Sequence, residues 1–206
     1  MKIELIIFDL DGTLVKLPID YADLRQELSK ISGLPPDFFK PLLNGILKAS
    51  HKAKASELLK IVDRYELEAI KRMWTEPNLK DTLFYLKNFG LKLALVTLQG
   101  RKAVNAVIKK LKLENVFDSI ITREDSYVRK EQIKMVMSLL KVPPEKTMFI
   151  ADRRKDMKAA KELGIIGVAI RNPKAEAKHF INTIEEVKCI LYFLRGIPPQ
   201  QKMGNT

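Results

Sequence analysis

The sequence predicts an α/β protein with a doubly wound parallel sheet and an all-helical insertion after the first strand. Three observations support this class. Short apolar segments rich in β-branched residues alternate with segments of amphipathic helical periodicity. The apolar segments lack the polar alternation of a half-exposed strand, which is typical of strands buried on both faces of a parallel sheet. Residues 16–76 interrupt the alternation, because they contain amphipathic segments but no convincing strand.

The first predicted strand runs through residues 3–8. It is followed at once by the sequence Asp9-Leu10-Asp11-Gly12-Thr13. Ligands of open parallel sheets bind outside the carboxyl ends of the strands, which is where this pair of carboxylates lies. Two nearby carboxylates repel each other without a cation between them, so the pair indicates a hard cation such as Mg²⁺. By itself, the segment is equally compatible with an ordinary strand end and an Asp-Gly turn.

Residues 16–76 form the predicted insertion. Its amphipathic segments cover residues 21–31, 36–49 and 55–74. Apolar residues recur at near-helical spacing in the last of them, so we expect helices throughout the insertion. These helices either cover the carboxyl ends of the strands or merely pack against the core.

Residues 77–196 return to the alternation and, with residues 1–15, make up the predicted core. The predicted strands cover residues 91–97, 120–121, 148–151 and 167–170, and the predicted helices cover residues 80–88, 101–111, 131–140 and 156–163. Gly164 follows the last of these helices and suits a left-handed C-cap. Repeated strand–helix–strand units favour a parallel sheet with right-handed crossovers. Residues 197–206 are predicted to be a flexible tail.

Further polar groups follow the predicted strands of the core. Thr97 ends one strand with a hydroxyl, and Asp152 ends another with a carboxylate. Asp156 lies four residues after Asp152, so the two would face the same side of a helix that starts in this turn. Arg129 and Lys130 stand together just before a predicted helix. Acidic strand ends, a hydroxyl strand end and a positive charge together suit the handling of a phosphoryl group.

In this order and spacing, these groups resemble the motifs of the haloacid dehalogenase superfamily, and within it those of the phosphoglycolate phosphatase type. The first motif matches residues 9–13, the second Thr97, the third Lys130, and the fourth Asp152 with Asp156. The resemblance covers nearly the whole chain. It implies a Rossmann-like core and identifies residues 16–76 as a helical cap that closes over the site and excludes water.

The resemblance also implies a reaction on a small phosphorylated substrate. Asp9 would attack phosphorus and form an aspartyl-phosphate, and Asp11 would act first as general acid and then as general base. Mg²⁺ would be held by Asp9, the backbone carbonyl of Asp11 and Asp152, with Asp156 orienting the metal shell. The phosphoryl oxygens are assigned to Thr97, Lys130 and Gly12. The acid at Asp11 favours phosphate chemistry, because dehalogenases of the superfamily lack it.

The third motif offers two adjacent cations, and we predict that Lys130, not Arg129, contacts Asp9 and the transferred phosphoryl group. If Lys130 opens the helix that begins near Glu131, its side chain reaches the edge of the sheet while Arg129 turns to solvent. Glu131 stands where the family frequently has a proline, so the usual marker of the cation is missing.

The chain departs from the family pattern at other positions too: Leu98 follows Thr97 where Asn is frequent, Ala151 replaces a usual Gly, and Arg153 replaces a small hydroxyl residue. None of these changes removes an ionisable group that the chemistry needs. Arg153 places a bulky cation near the expected metal, which leaves the rate and the substrate open. Lys16, Tyr21 and Arg25 are weak candidates for substrate contacts from the cap side.

Two other functions use the same residues. A phosphomutase would return the phosphoryl group to a sugar, and analysis of the products would separate it from a phosphatase. A non-catalytic phosphate-binding or partner-binding protein is the other alternative. The intact carboxylates argue against it, because the loss of one carboxylate is the simplest route to inactivity.

The composition of the chain indicates the class of its partners and its cellular location. The formal net charge is +12 over 206 residues, but the cations are interleaved with Glu along helices, which favours a solvated surface over nucleic-acid binding as a main role. The single Cys189 suits a reducing compartment, and acidic residues interrupt any signal-peptide pattern at the N-terminus. No apolar run reaches membrane-spanning length, so we expect a cytoplasmic protein. His51 and His179 belong to no metal-binding pattern, and the oligomeric state stays open.

Overall fold

In the computed structural model, residues 2–49 and 54–195 are described. The predicted tail at 197–206 and His51 lie outside these residues. Within them, one parallel sheet has the strand order β5-β4-β1-β6-β7-β8. Its strands are β1 (Leu5–Phe8), β4 (Lys92–Val96), β5 (Ser119–Ile121), β6 (Thr147–Ala151), β7 (Ile166–Ile170) and β8 (His179–Ile181). The predicted α/β class with a doubly wound parallel sheet is confirmed.

Strand β1 lies at the centre of the sheet and pairs in parallel with both β4 and β6. The chain builds the sheet outwards from β1 in one direction through β4 and β5, and then in the other through β6, β7 and β8. The direction of winding therefore reverses beside β1. The crevice outside the carboxyl ends of β1 and its neighbours is the place where such sheets bind ligands.

Helices cover both faces of the sheet. They are α4 (Leu79–Asn88), α5 (Arg101–Leu111), α6 (Arg129–Leu140), α7 (Arg154–Glu162) and α8 (Val187–Arg195). Along β1, Leu5 and Ile7 pack into the cluster that includes α6 and α7, whereas Ile6 and Phe8 pack into the cluster that includes α4, α5 and α8. This alternation is the period-2 geometry of a strand, and it explains why β1 is apolar at every position.

Between β1 and α4, the described residues form an insertion made mainly of helices, which we call the cap. Its elements are α1 (Tyr21–Ser32), a 3₁₀ turn (Pro36–Phe39), α2 (Leu42–Lys48) and α3 (Ala55–Lys71). The cap has a hydrophobic cluster of its own, with the fully buried Leu28, Phe39 and Leu58 among its members. Asp20 caps α1 by accepting hydrogen bonds from two backbone N–H groups of its first turn. The separate cluster supports the proposed division at residues 16–76.

The prediction that the insertion contains no strand is wrong at its two ends. Strand β2 (Val15–Lys16) pairs antiparallel with β3 (Trp74–Thr75), so a two-stranded ribbon joins the cap to the core. Strands of two residues are too short to show a period of 2 in the sequence. The helix predicted at 55–74 accordingly ends earlier, at Lys71.

The prediction of one continuous helix at 36–49 is also wrong. The chain forms a 3₁₀ turn and then α2, with a break at Pro41. Lys40 has extended backbone angles, φ −118° and ψ 106°. A residue that precedes proline is disfavoured in the α region, and proline has no N–H for a helical hydrogen bond. The break therefore follows from a signal that the sequence contains.

In the core, three predicted bounds are wrong by two residues: β1 begins at Leu5 instead of residue 3, α6 at Arg129 instead of residue 131, and α7 at Arg154 instead of residue 156. Strand β8 and helix α8 are additional elements that the sequence reasoning did not assign. Among the described residues, no helix combines the length and the apolar character needed to cross a membrane.

Candidate active site

Asp9 directly follows β1, at the carboxyl edge of the sheet. Its backbone N–H continues the ladder by donating to the carbonyl of Ile150, at 3.0 Å, so its position is set by the neighbouring strand β6. The residue is only 3% exposed. Burial raises the pKa of Asp9 to about 7, against the opposing effect of the Arg129 charge and with a further increase from Asp156.

The turn after Asp9 brings the chain against Asp152. Gly12 has φ +85°, and a Cβ atom at this position would clash with the carboxylate of Asp152. Only glycine allows both this left-handed backbone and this close approach. The N–H of Gly12 donates to the carbonyl of Val15 at 2.8 Å. In this conformation, the predicted phosphoryl-binding role of Gly12 has no free amide donor, and the glycine instead permits contact between the first and fourth motifs.

Asp11 lies between the core and the cap. Its Oδ1 accepts a hydrogen bond of 2.8 Å from the backbone N–H of Leu17, just after the ribbon strand β2. Burial raises the pKa of Asp11, and the hydrogen bond from Leu17 works against this increase. The carboxylate predicted as general acid and base is therefore held by the segment that leads into the cap.

Three carboxylates converge at the strand ends. One oxygen each of Asp9, Asp152 and Asp156 lies within 4.8 Å of the others. Oδ1 of Asp152 and Oδ2 of Asp156 are buried and have no hydrogen-bond partner among the described residues. Buried carboxylate oxygens without partners are costly, and a hard cation such as Mg²⁺ prefers oxygen ligands of this kind. The donor set therefore fits a divalent hard cation.

The carboxylate of Asp11 does not belong to this cluster of side chains, so a metal contact from this residue would come from its backbone carbonyl, as predicted. Asp156 is fully buried, and one of its oxygens lies within 4.8 Å of an oxygen of each of the two expected ligands. The structure therefore makes Asp156 a candidate ligand as well as a residue that could orient the metal shell.

The structure contradicts the expectation that Lys130 reaches the sheet edge while Arg129 turns to solvent. The side chain of Arg129 is 10% exposed, and its Nη2 donates to Oδ1 of Asp9 at 2.5 Å. Its Nε donates to Oδ1 of Asp156 at 3.1 Å. Lys130 is 38% exposed and forms an ion pair of 3.0 Å with Glu162 on α7. The cation beside the expected nucleophile is therefore Arg129.

The reason for this difference is the start of α6. The helix begins at Arg129, and successive helical residues point about 100° apart around the axis. Arg129 consequently faces the end of β1, and Lys130 is turned towards α7. The guanidinium of Arg129 also lies over the ring of Phe149 on β6, 5.9 Å from its centroid. A predicted helix start two residues too late was enough to exchange the two cations.

Thr97 follows β4 as predicted, but its hydroxyl is buried. It donates to Oε1 of Gln99 and accepts from the backbone N–H of Gln99 at 3.1 Å. The predicted contact between Thr97 and a phosphoryl oxygen thus stays a prediction, and it requires the Gln99 side chain to move. Gln99 lines the cavity above the site. No sequence signal pointed to this residue, since glutamine is common in loops.

A second buried ion network links the cap to the core. Arg123, in the loop after β5, is 2% exposed and forms ion pairs with Asp63 and Glu66 of cap helix α3. Glu66 also accepts a hydrogen bond of 3.0 Å from the backbone N–H of Gly100, next to the Thr97 loop. Burial raises the pKa of Glu66 to about 7, although Arg123 opposes the change. Sequence reasoning missed this network, because its members lie far apart in the chain.

Residues after β7 hold the outer side of the site. Arg171 donates to the backbone carbonyls of Gly12, at 2.9 Å, and Thr13. The side chain of Asn172 donates to the carbonyl of Asp152 at 2.7 Å. These contacts fix the turns of the first and fourth motifs from a loop to which the sequence motifs assign no role.

A cavity of about 760 Å³ lies between the strand ends and the cap. The core contributes Asp9, Asp11 and Arg129 to its lining, and the cap contributes Tyr21 and Arg25 among others. Burial raises the pKa of Tyr21 to about 12, and the charge of Asp11 adds to the increase. Nε of Arg153 lies 3.8 Å from Oδ1 of Asp152. Lys16, a weak sequence candidate, is exposed and is not among the lining residues of this cavity.

Comparison with solved structures places this fold. The chain resembles a predicted phosphoglycolate phosphatase from Haemophilus somnus with a TM-score of 0.71 and 21% identity, over 92% of this chain and 98% of that one. It resembles the haloacid dehalogenase-like family protein SP0104 from Streptococcus pneumoniae with a TM-score of 0.68 and 23% identity, over 93% and 98% of the two chains. At these identities, the comparison shows a shared fold.

Sequence comparison adds named relatives. A phosphoglycolate phosphatase from Pseudomonas putida is 27% identical over 79% of this chain and 67% of its own length. The pyrophosphatase PpaX from Bacillus mycoides is 26% identical over 82% of this chain and 84% of its own. The family model of the haloacid dehalogenase-like hydrolases matches residues 6–170, which include the strand ends of the site and the whole cap. The chain belongs to the haloacid dehalogenase-like hydrolases.

Proposed function

We propose that this protein is a Mg²⁺-dependent phosphatase that hydrolyses a phosphomonoester through an aspartyl-phosphate at Asp9. The observation that carries the proposal is the convergence of Asp9, the cation Arg129 and two further carboxylates, each with one buried and unpartnered oxygen, at one edge of the sheet. Relatives named phosphatase and pyrophosphatase support phosphorus chemistry over dehalogenation.

In the proposed reaction, a carboxylate oxygen of Asp9 attacks phosphorus while the bond to the leaving alkoxide breaks. This divides one difficult displacement into two easier steps. Arg129 neutralises negative charge beside Asp9 and would hold a phosphoryl oxygen in the transition state. Asp9, Asp152, Asp156 and the backbone carbonyl of Asp11 would hold Mg²⁺, which would supply the charge neutralisation that lets two anions approach each other.

Asp11 is the proposed general acid and base. Its raised pKa favours the protonated form needed to give a proton to the leaving oxygen. The same carboxylate would then take a proton from the water that hydrolyses the aspartyl-phosphate. The hydrogen bond from Leu17 keeps the carboxylate at the mouth of the cap, on the side where a leaving group would lie.

We propose further that the substrate carries a second anionic group. Four cations line the cavity in addition to Arg123 and Arg129, namely Arg25, Lys40, Arg153 and Lys155. Lys40 pairs with Asp37 at 2.8 Å, and Arg153 lies 3.8 Å from Asp152. A volume of about 760 Å³ is within the usual range for organic ligands of moderate size. Phosphoglycolate and pyrophosphate, which occur in the names of the relatives, both carry such a second anionic group.

The direct test is a screen of phosphate esters and diphosphates with Mg²⁺ and with excess chelator. We expect release of inorganic phosphate only with the metal, and faster turnover of esters that carry a second anionic group than of neutral esters of the same size. Transfer of the phosphoryl group to a second sugar position, detected by product analysis, would replace the phosphatase with a phosphomutase.

We also propose a cytoplasmic location, for which the single cysteine is the support.

The Asp9→Asn variant tests the covalent mechanism. An amide is a poor nucleophile of nearly the same shape as the carboxylate, so we expect no measurable turnover and a melting temperature no lower than that of the wild type. Phosphate release and thermal melting are to be measured on the same preparation. Turnover near the wild-type rate would exclude Asp9 as the nucleophile.

A further inference from the structure

We propose that Gln132 is a positioning residue, which sets the orientation of the Arg129 guanidinium beside Asp9. The inference rests on the proposed function, because it gives Arg129 its role at the phosphoryl group. Gln132 lies on the first turn of α6 and is fully buried. It has no hydrogen bond to Asp9 and does not line the cavity, so any effect on the reaction acts through its bonding partners, Arg129 or the loop of Thr97.

The amide of Gln132 can point in only one way. Its Nε2 donates to the carbonyls of Thr97, at 2.7 Å, and Ser126, at 2.8 Å, and lies 3.1 Å from that of Thr122. A flipped amide would place its oxygen against three carbonyl oxygens. Oε1 must therefore face the other side, where it accepts from Nη1 of Arg129 at 3.1 Å.

This contact completes the fixation of the guanidinium. Nη1 bonds to Gln132 at 3.1 Å, Nε to Asp156 at 3.1 Å and Nη2 to Asp9 at 2.5 Å. Each nitrogen of the planar fork thus has its own acceptor, and the plane of the group is determined. A lysine could supply the charge to Asp9 but could not form three bonds in this fixed geometry.

Gln132 also connects two elements of the site. Through the carbonyl of Thr97 it contacts the end of β4, and through Arg129 it contacts the end of β1. The separation between the predicted phosphoryl-binding loop and the cation is therefore held by one buried side chain. A group that must meet charge as it develops in the transition state benefits from such advance fixation, so its loss should lower kcat more than it raises KM.

A double-mutant cycle between Gln132→Met and Arg129→Lys tests the proposal. Methionine keeps the length and burial of the side chain and removes both kinds of hydrogen bond. We expect Gln132→Met to lower kcat about 10- to 100-fold with a small change in KM, which is somewhat less than the loss of a hydrogen-bond donor that directly stabilises a transition state. In the Arg129→Lys background, where Nη1 is absent, the same change should cost less than about 3-fold.

Equal losses in both backgrounds would overturn the proposal, since Gln132 would then act only by supporting the loop. Arg129→Lys with near wild-type kcat would also overturn it, and this variant leaves Gln132 and its three carbonyl contacts in place. Lys134→Met, whose ion pair with Glu131 is exposed, is the matched control in α6 and should change kcat less than about 2-fold. Thermal melting of each variant reports any loss of folded protein.

Calorimetric binding of inorganic phosphate separates this inference from the proposed function. If the wild type turns over none of the esters, the phosphatase proposal fails. Phosphate binding by the wild type, the two single variants and the double variant would still show whether Gln132 and Arg129 are coupled in holding a phosphate. We expect the loss of phosphate affinity caused by Gln132→Met to shrink in the Arg129→Lys background. Additive losses of affinity would contradict the positioning role.

Discussion

Two buried arginines each lie between two carboxylates. The two ion networks look alike, but they differ in whether every oxygen of the buried carboxylates has a hydrogen-bond partner. Arg129 pairs with Asp9 and Asp156 in the candidate active site, and Arg123 pairs with Asp63 and Glu66 between the cap and the core. In each network, burial raises the pKa of one carboxyl group to about 7.

The networks differ in their unused oxygens. Both oxygens of Glu66 are hydrogen-bonded, one to Arg123 and one to the N–H of Gly100. Asp156, by contrast, has a buried oxygen without a partner among the described residues. Perturbed pKa values mark both sites equally, because structural ion pairs perturb them too. Unpartnered carboxylate oxygens at the edge of a cavity are the better indicator of chemistry.

The largest expected effect comes from removing Arg129, the cation of the network in which a carboxylate oxygen has no partner. Arg129→Ala should lower the rate about 10²- to 10³-fold, because the charge that faces Asp9 and the phosphoryl group is lost. Steady-state kinetics with one substrate measure the loss. Lys130→Ala is the control and should change the rate less than about 3-fold, since its ion pair with Glu162 is on the surface. The opposite ranking would return the role to Lys130.

Loss of the cation from the Arg123 network should lower the stability of the fold instead of the rate of the reaction. Arg123→Met leaves the buried carboxylate of Glu66 without its cation, whereas the half-buried Asp63 keeps Lys102 nearby, and breaking a buried pair in this way costs about 3–5 kcal/mol. Denaturant unfolding measures the free energy. Arg101→Met, which breaks an exposed pair with Asp125 near the same loop, should cost less than about 1 kcal/mol. Similar losses for the two variants would mean that the Arg123 network does not stabilise the folded chain.

Metal titration distinguishes the two carboxylates of the fourth motif. We expect Asp152→Ala and Asp156→Ala each to raise the Mg²⁺ concentration needed for half-maximal activity about 10- to 100-fold, with the larger effect for Asp152. The reason for this order is that one oxygen of Asp156 already accepts from Arg129, whereas the Arg153 cation lies 3.8 Å from Asp152. A larger effect for Asp156 would make it the main ligand.

The smallest effect concerns the pH dependence of stability. The pKa of Glu66 rises from an ordinary 4.5 to about 7 on folding, so the folded state binds more protons than the unfolded state between these values. Glu66 therefore stabilises the fold least above pH 7, and its contribution falls as the pH rises from about 4.5 to 7. Glu66→Gln should reduce the fall in the free energy of unfolding between about pH 4.5 and pH 7 by roughly 1–3 kcal/mol. Parallel curves for the two proteins would show that Glu66 is ionised throughout the range.

Much of the fold could be predicted because its signals are local. Strand β1 is a continuous apolar segment, β4 and β6 are apolar after their first residue, and the bounds of α5 follow from apolar residues at helical spacing. The ribbon of β2 and β3 could not be predicted, because two residues carry no periodicity and the pairing joins segments that are distant in the chain.

The sequence by itself determined which groups meet at the carboxyl edge of the sheet. Asp9, Thr97 and Asp152 each follow a strand, and parallel strands bring their carboxyl ends together whatever the details of packing. The acidic pair in the first motif indicated a cation site at this edge only together with Asp152 and Asp156, because the pair alone was equally compatible with an ordinary strand end.

Only the tertiary structure decided how those groups are used. The start of α6 selects Arg129 over Lys130, Gln132 fixes the guanidinium, and Arg123 ties the cap to the loop after β5. These choices depend on side-chain direction and on contacts between distant segments. A shift of two residues in a helix start is within the uncertainty of sequence patterns, yet it turns a side chain by more than half a helical turn.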